Sequence, residues 1–358
     1  MASARSSAAL RRLRGKVAHT LSSTFLRTLA HAGRLHPRAR PARHGVEVER
    51  DIRYRGGAGA DHVLDIYRPI GRPGPLPVVF YVHGGAFQIL SKDTHWMMGL
   101  AFARHGYLVV NISYRLAPRH RFPAAIDDVC AAWLWLLREL DRLGGDRDRI
   151  VVAGESAGGN LITALTLATC QRRAEPYARA VFDAGVVPRA AMPFCALLEV
   201  SRSERFAQRR PLPTWLDGMM RSVHDAYLGH APPADCDLAD PLCVFERAGI
   251  AGASFDSGVA DAPPALRMHG TPAPPITFDR QLPPFFAPVG TRDPLLDDTR
   301  RLEKALARLN VPCEARYYPD EIHAFHALVW RAQARACWRD ALAFLDRHLR
   351  EPGYFRSP

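Results

Sequence analysis

Long apolar runs and paired cysteines are what this sequence of 358 residues most clearly lacks. No uninterrupted apolar run approaches the ~18–20 residues that a membrane-spanning helix needs, so an integral membrane protein is not expected. The seven cysteines are scattered and form no C-x-x-C pair, a pattern that predicts neither a disulfide framework nor a zinc site. A reducing compartment, the cytoplasm, is therefore the default prediction.

Acidic residues are absent from the first 44 positions, which hold ten of the Arg and Lys residues. Of the formal net charge of +12, ten units fall in this segment, which leaves +2 for the other 314 residues. Phosphate binding requires a broad basic face, and a nearly neutral body does not provide one. No nucleic-acid partner is predicted.

The same N-terminal segment carries apolar residues at helical spacing: Leu10, Leu13, Val17, Leu21, Phe25 and Leu29. It has no continuous apolar core of the secretory type, so a signal peptide is not expected. Three interpretations stay open. The favoured one is a helix that packs on the body of the protein; the others are a weak membrane-surface contact and an organelle transit peptide.

Strand-like and helix-like segments alternate from residue 47 onward. Strands are predicted within 63–69, 76–85, 107–118, 149–156, 192–200, 285–293 and 314–319, and helices within 124–145, 295–310 and 325–349. Such alternation predicts an α/β fold with a mostly parallel sheet that helices cover on both faces. Ligands of such sheets bind at the carboxyl ends of the strands.

A glycine-flanked serine follows one of the predicted buried strands, in the segment VVAGESAGGN. The G-x-S-x-G spacing is typical of a tight strand-to-helix turn, at which side chains two positions before and after Ser156 would collide with it. Gly154 and Gly158 remove those side chains. The following helix directs its positive end towards the serine, which favours developing negative charge. The pattern makes Ser156 the candidate nucleophile; a glycine-rich turn with a capping serine is the alternative.

A second glycine motif, HGGAF, follows the predicted strand at 76–85. Glycines let backbone N–H groups approach an anion closely, and such donors stabilise a tetrahedral oxyanion without reorganising. Gly84, Gly85 and Ala86, together with the N–H of Ala157 after the candidate nucleophile, are the predicted oxyanion hole. A simple glycine turn is the alternative interpretation.

HGGAF, YRLAPRHRFPAAIDD (114–128) and GESAGGN resemble, in order and spacing, the hormone-sensitive-lipase-like esterases of the α/β-hydrolase fold. The likeness covers residues ~47–349. It implies an eight-stranded, mostly parallel sheet with a helical cap, hydrolysis of carboxylic esters, and no metal or organic cofactor. Two departures are Ala86 in place of a third glycine and Arg119 in place of the usual glutamate.

The break in the strand–helix pattern at 201–285, together with the cap that the resemblance implies, suggests a division of the chain. Residues 1–45 are predicted to be a basic amphipathic arm that forms part of the cap. The catalytic domain is predicted to comprise 46–200 and 231–358. A lid is expected at 201–230, and 246–284 is an irregular insertion rich in Gly, Ala and Pro.

In this fold the acid and the histidine follow the serine along the chain, in that order. Asp293 directly follows a predicted strand, although Asp-Pro is also a typical helix N-cap with proline at the first helical position. Asp297 is the fallback, and Asp240 has no predicted strand before it.

His323 and His326 both follow the last strand. The loop position and the family's H-x-F pattern favour His323 as the base, with His326 packing or capping at the start of a helix.

These residues predict a serine esterase acting on short- to medium-chain esters, with Ser156, Asp293 and His323 as its triad. Two other functions stay open: a non-catalytic small-molecule receptor, and an amidase or peptidase that uses the same triad. The expected partner is a small-molecule ester substrate, and the sequence is also compatible with a homo-oligomer.

Overall fold

The computed structural model of the protein describes residues 28, 30, 32–57, 61–72, 74–202, 205, 222–229, 236–248 and 276–349. Within these residues eight strands form one sheet: β1 (Val46–Arg53), β2 (Val63–Pro69), β3 (Leu76–Val82), β4 (Leu108–Ile112), β5 (Gly145–Glu155), β6 (Ala190–Phe194), β7 (Phe285–Gly290) and β8 (Cys313–Tyr318). Their order across the sheet is β1-β2-β4-β3-β5-β6-β7-β8. β1 and β2 pair antiparallel, as do β2 and β4, and all later pairs are parallel. The predicted eight-stranded, mostly parallel sheet is confirmed.

Seven α-helices have defined bounds in the described part of the chain: α1 (Trp96–Ala103), α2 (Ala124–Leu143), α3 (Ala157–Cys170), α4 (Pro176–Asp183), α5 (Pro241–Ala248), α6 (Leu296–Arg308) and α7 (Ala332–Leu349). Short 3-10 helices lie at Pro37–Ala39, Pro41–His44 and Phe325–Ala327, and 222–227 is also helical. None of the described helices has the length and apolar character needed to cross a membrane.

The core lies on both faces of the sheet, because the central strands are buried along their whole length. Every residue of β3 is buried. Phe80 points into the hydrophobic layer beneath α2 and α3, whereas its neighbour Tyr81 points into the layer beneath α1 and α7. The alternating direction of strand side chains therefore divides one apolar run between two cores.

The sequence prediction differs from the structure at several places, and α1, α4 and α5 were not predicted. β6 spans Ala190–Phe194, so only residues 192–194 of the strand predicted at 192–200 lie in the sheet, and 195–200 leave it. The helix predicted from 325 is a 3-10 turn at Phe325–Ala327, and α7 begins only at Ala332. The edge strand β1 was not predicted.

The predicted arm, lid and insertion lie largely outside the described residues, but their described ends contact the body. Trp96 at the start of α1 donates its indole N–H to the carbonyl of Ala30, at 3.1 Å. Tyr227, at the end of the predicted lid, stacks on Phe87 of the HGGAF motif with ring centroids 3.8 Å apart. The predicted arm helix and most of the predicted lid lie outside the described residues, so both stay predictions.

Candidate active site

The candidate nucleophile lies on the turn between β5 and α3. Ser156 has a φ of 52° and a ψ of −117°, a conformation that non-glycine residues rarely adopt. Its N–H donates to the carbonyl of Phe194 at 2.9 Å, and its own carbonyl accepts the N–H of Leu197 at 3.2 Å. The side chain is partly exposed and makes no capping hydrogen bond to α3. The hydroxyl is therefore available for chemistry at the carboxyl edge of the sheet.

The two glycines around Ser156 are needed for backbone packing rather than for clearance around the serine itself. A Cβ at Gly158 would lie 2.1 Å from the carbonyl oxygen of Val82 at the end of β3. A Cβ at Gly154 would lie 2.6 Å from the carbonyl oxygen of Gly158. The turn can press α3 against β3 only because both side chains are missing.

The HGGAF loop passes directly beside this turn. A Cβ at Gly84 would lie 2.9 Å from the carbonyl oxygen of Glu155, and Gly85 has a φ of 112°. Ala86 also has a positive φ, of 55°. Within the described residues, the N–H groups of the predicted oxyanion hole (Gly84, Gly85, Ala86 and Ala157) donate no backbone hydrogen bond. An oxyanion hole requires N–H donors of this kind, and its assignment to these residues stays a prediction.

His83, the first residue of this loop, is fully buried and supports the backbone. Its Nδ1 lies 2.6 Å from the carbonyl oxygen of Gly84, and its ring stacks on that of Tyr114 with centroids 4.3 Å apart. Burial lowers the pKa of His83 to about 3. The ring is therefore neutral at physiological pH and positions the glycine loop.

Asp293 and His323 meet although 30 residues separate them. Asp293 follows β7 and His323 follows β8, and Nδ1 of His323 lies 2.9 Å from Oδ2 of Asp293. The carboxylate of Asp293 is fully buried, whereas 35% of the His323 side chain is exposed. Burial opposes a charged ring, yet Asp293 and Cys195 beside it raise the pKa of His323 well above its usual value. A buried carboxylate therefore orients the ring of His323 and raises its affinity for a proton.

Asp293 is not the N-cap of α6, which was the alternative interpretation of its Asp-Pro dipeptide. α6 begins at Leu296 with Leu295 as its N-cap, and Oδ1 of Asp293 instead accepts the N–H of Leu295 at 2.8 Å within the preceding turn. One carboxylate oxygen thus fixes the turn while the other faces His323. The fallback Asp297 lies in the first turn of α6 beside Arg300, at 3.8 Å.

The other Asp-Pro-Leu site has a structural role. Oδ1 of Asp240 accepts the N–H groups of Val200 and Ser201, at 2.5 and 3.0 Å. These bonds hold the irregular chain that follows β6.

Comparisons with known proteins agree with this architecture. A model of the alpha/beta hydrolase fold family matches residues 79–271 and 260–327. Carboxylesterase NlhH of Mycobacterium tuberculosis is 31% identical over 304 residues, which cover 84% of this chain and 82% of that protein. The chain belongs to the alpha/beta hydrolase fold family.

Solved structures extend the similarity. A bacterial heroin esterase superposes on this alpha/beta hydrolase with a TM-score of 0.62 at 25% identity, over 86% of each chain. An esterase from the bacterial hormone-sensitive lipase family has the same fold, with a TM-score of 0.63 at 24% identity, over 92% of this chain and 91% of that one. The predicted membership of the hormone-sensitive-lipase-like esterases is confirmed.

The second histidine of this alpha/beta hydrolase is buried in a polar chain that sequence reasoning missed. Nε2 of His326 lies 2.9 Å from Oε2 of Glu155. The other oxygen of Glu155 lies 2.8 Å from Nε2 of His95. Burial opposes charge on His326, but Cys195 and Glu155 raise its pKa to about 9. Burial alone would raise the pKa of Glu155. His95 and His326 outweigh this effect and hold the pKa of Glu155 well below its usual value.

The thiol of Cys195 lies between the two histidines. Cys195 directly follows β6, is fully buried, and has a φ of 36°. Burial raises the pKa of a thiol, but His323 and then His326 bring that of Cys195 below its usual value. Its sulfur, Asp293 and His323 form a group whose donor atoms all lie within 4.8 Å of one another. The spacing of the three residues along the sequence gives no sign of this group.

Among the described residues, His323 is hydrogen-bonded to Asp293 and not to Ser156. Catalytic hydrogen bonds are often long in a free enzyme and tighten when substrate binds. The backbone contacts of Ser156 with Phe194 and Leu197, on either side of Cys195, bring the nucleophile turn to the same edge of the sheet as His323.

Proposed function

We propose that this protein is a serine carboxylesterase that cleaves short- to medium-chain carboxylic esters through an acyl-enzyme on Ser156. Membership of an esterase family makes it a carboxylic ester hydrolase with a small-molecule ester as substrate. Two observations support the finer proposal: a strained, partly exposed serine at the carboxyl end of β5, and a His–Asp pair 2.9 Å apart that follows β7 and β8 at the same edge of the sheet.

In the first half of the reaction, His323 accepts the hydroxyl proton as Ser156 Oγ attacks the ester carbonyl. The carbonyl π electrons move to oxygen, and the N–H groups of Gly84 to Ala86 and of Ala157 bind the resulting oxyanion. A high proton affinity at His323, conferred by buried Asp293, favours this transfer once the ring is neutral. Collapse of the intermediate breaks the ester C–O bond, and the imidazolium protonates the leaving alkoxide.

In the second half, a water molecule takes the place of the alcohol. His323 removes a proton from water, the hydroxide oxygen bonds to the acyl carbon, and the same N–H groups hold the second oxyanion. Collapse breaks the bond between the acyl carbon and Oγ, and the proton returns to Ser156. The products are a carboxylic acid and the free enzyme.

The acyl-chain range is proposed from the lid side of the site. Tyr227 near the end of the lid stacks on Phe87 of the anion loop, and both rings are buried. We propose that the arm (1–45) and the lid (201–230) complete the pocket above it. Rates with p-nitrophenyl esters from C2 to C12 should peak at short or medium chains; a maximum at C12 would contradict this part of the proposal.

The decisive variant is Ser156→Ala. It should lower kcat for p-nitrophenyl butyrate by roughly 10^6-fold, because removal of a triad nucleophile leaves only binding and the oxyanion hole. Thr169→Ala, which removes a hydroxyl at the far end of the same helix, is the matched control and should retain activity. Full activity of Ser156→Ala would overturn the proposal.

Two further measurements separate the alternative functions. A fluorophosphonate probe should label the unmodified protein and not Ser156→Ala; absence of labelling in both would favour a non-catalytic receptor. Matched anilides should react far more slowly than the esters, whereas equal rates would favour an amidase.

A further inference from the structure

Cys195 adds a third kind of donor atom to the proposed acid and base. Its sulfur, a carboxylate oxygen of Asp293 and a ring nitrogen of His323 lie within 4.8 Å of one another. The main-chain N–H of Cys195 donates to the carbonyl of Pro288 at 2.9 Å, which ties the thiol to β7. Cys195 and Asp293 are buried, while the His323 side chain is 35% exposed, so a small ion can reach the group along the imidazole.

We propose that Cys195, His323 and Asp293 form an inhibitory site for a thiophilic divalent cation, with Zn²⁺ as the best fit. Thiolate sulfur, imidazole nitrogen and carboxylate oxygen are the three protein donors that zinc takes. Mg²⁺ and Ca²⁺ prefer oxygen ligands and gain nothing from the thiol. The ion is an inhibitor at this site and not a cofactor of the reaction.

The spacing of the donors suits a tetrahedral ion after a small adjustment. Zinc bonds of about 2.0–2.3 Å keep tetrahedral donor atoms roughly 3.3–3.8 Å apart. The widest separation here, at most 4.8 Å, therefore has to close by up to about 1.5 Å. His323 can supply this movement because its ring is partly exposed and lies on the loop after β8. Three protein ligands leave the fourth position to water.

Binding involves no redox step. The Cys195 S–H bond breaks, its proton passes to solvent, and the sulfur lone pair forms the bond to zinc. His323 contributes the lone pair of one neutral ring nitrogen, and Asp293 contributes a carboxylate oxygen. In the proposed mechanism one ring nitrogen accepts the serine proton and the other faces Asp293, so coordination through either nitrogen disables the base.

The consequence for activity rests on the proposed function, so binding and inhibition are measured separately. Full-length protein is treated with EDTA and dialysed, and ZnCl₂ is titrated while p-nitrophenyl acetate hydrolysis is followed. Zinc bound per chain is measured by equilibrium dialysis. Co²⁺ is then added in place of zinc, because a cobalt–thiolate bond gives a sulfur-to-metal charge-transfer absorption in the near ultraviolet.

We expect one zinc per chain, reversible inhibition that EDTA relieves, and no inhibition by Mg²⁺ or Ca²⁺. Cys195→Ser should raise the half-inhibitory zinc concentration at least about tenfold, since loss of even an outer partner of a zinc ligand costs about 10- to 100-fold in affinity. In the cobalt experiment, Cys195→Ser should lose the thiolate absorption. Cys313→Ser, which changes a partly buried thiol at the start of β8, is the matched control and should retain both properties.

A protein that binds no zinc, or binds cobalt without the thiolate absorption, would overturn the inference whether or not any variant folds. Unchanged zinc affinity in Cys195→Ser would do the same. If the unmodified protein hydrolyses no ester, the proposed function fails, while dialysis and the cobalt spectrum still decide the metal site.

Discussion

At the scale of single residues, the conformation of Ser156 shows how the fold supports a reactive side chain. Backbone conformations of this sparsely populated kind cost about 1–3 kcal/mol each and persist only where the surroundings hold them. Here the holding contacts are the hydrogen bonds to Phe194 and from Leu197. In this conformation the hydroxyl does not cap α3, and the side chain is partly exposed.

The two histidines near the C-terminus should differ sharply in their effect on catalysis. His323→Ala should reduce kcat by roughly 10^6-fold, as loss of a triad base does. His326→Ala should remove one charge-assisted contact worth about 1.5–3 kcal/mol, which corresponds to about 10- to 150-fold in rate if it acts wholly on the barrier. Steady-state kinetics with p-nitrophenyl butyrate measure both effects.

His105→Ala is the control for this comparison, since His105 is partly exposed and lies beyond the end of α1. It should keep normal kinetics. If His326→Ala abolished turnover while His323→Ala did not, the assignment of the base would be reversed.

The sequence allows candidate site residues to be named where the signal is local. Ser156 and the HGGAF loop lie in short motifs that contain their own glycines, and the strand before Asp293 indicates where that carboxylate lies. Cys195 could not be predicted as a neighbour of His323, because their contact depends on the order of β6, β7 and β8 across the sheet. The roles of the triad and oxyanion residues stay predictions until the variants are measured.

At the scale of elements, the β5–turn–α3 unit is fixed by how closely the helix approaches β3. Gly158→Ala would place a Cβ 2.1 Å from the carbonyl oxygen of Val82 and 2.6 Å from that of His83, and backbone atoms cannot rotate away. Overpacking of this kind costs about 1–3 kcal/mol and occasionally more. We expect a loss at or above the upper end of that range, measured by urea unfolding, together with lower activity.

Gly56→Ala is the matched control for this prediction, because a Cβ at Gly56 meets nothing within 4 Å and the backbone needs no positive φ. Its stability should be unchanged or slightly higher, since alanine restricts the unfolded chain. Equal stability of the two variants would show that α3 can move away from β3 at little cost.

The error at 325–349 also belongs to this scale. The apolar pattern there is compatible with one continuous helix, but the chain makes a 3-10 turn that carries His326 inward to Glu155. Ala324 before it is in the left-handed region, and Trp330 after it is 71% exposed. A contact between residues 171 positions apart decides the conformation here, and a local periodicity cannot report it.

At the scale of the whole molecule, a buried ion-pair cluster joins parts of the chain that are distant in sequence. Glu199, on the segment after β6, contacts Arg202 and also Arg301 of α6. Arg301 reaches Glu246 of α5 at 2.7 Å. The residues after 44 have a net charge near zero, which agrees with such pairing. Glu199 and Arg301 lie about 100 residues apart, so the sequence could not identify them as partners.

The cluster makes Glu199 a source of acid sensitivity. Burial alone would raise the pKa of Glu199, but Arg202, Arg301 and Arg205 lower it below its usual value of 4.5. A carboxyl whose pKa is depressed by folding adds stability that is fully present above its unfolded pKa. That contribution disappears as the pH falls through the lower, folded value, so the sensitive window lies below about pH 4.5.

Glu199→Gln should therefore lower the free energy of unfolding at pH 7 and flatten its dependence on pH below about 4.5. We expect a loss of about 2–3 kcal/mol, less than the ~3–5 kcal/mol of a fully broken buried pair, because Arg301 keeps Glu246. Urea unfolding from pH 3 to pH 7 measures both effects.

Glu139→Gln, which removes a surface pair with Arg142, is the control and should change stability by no more than about 1 kcal/mol. Parallel pH profiles for unmodified protein and Glu199→Gln would mean that folding does not depress the pKa of Glu199.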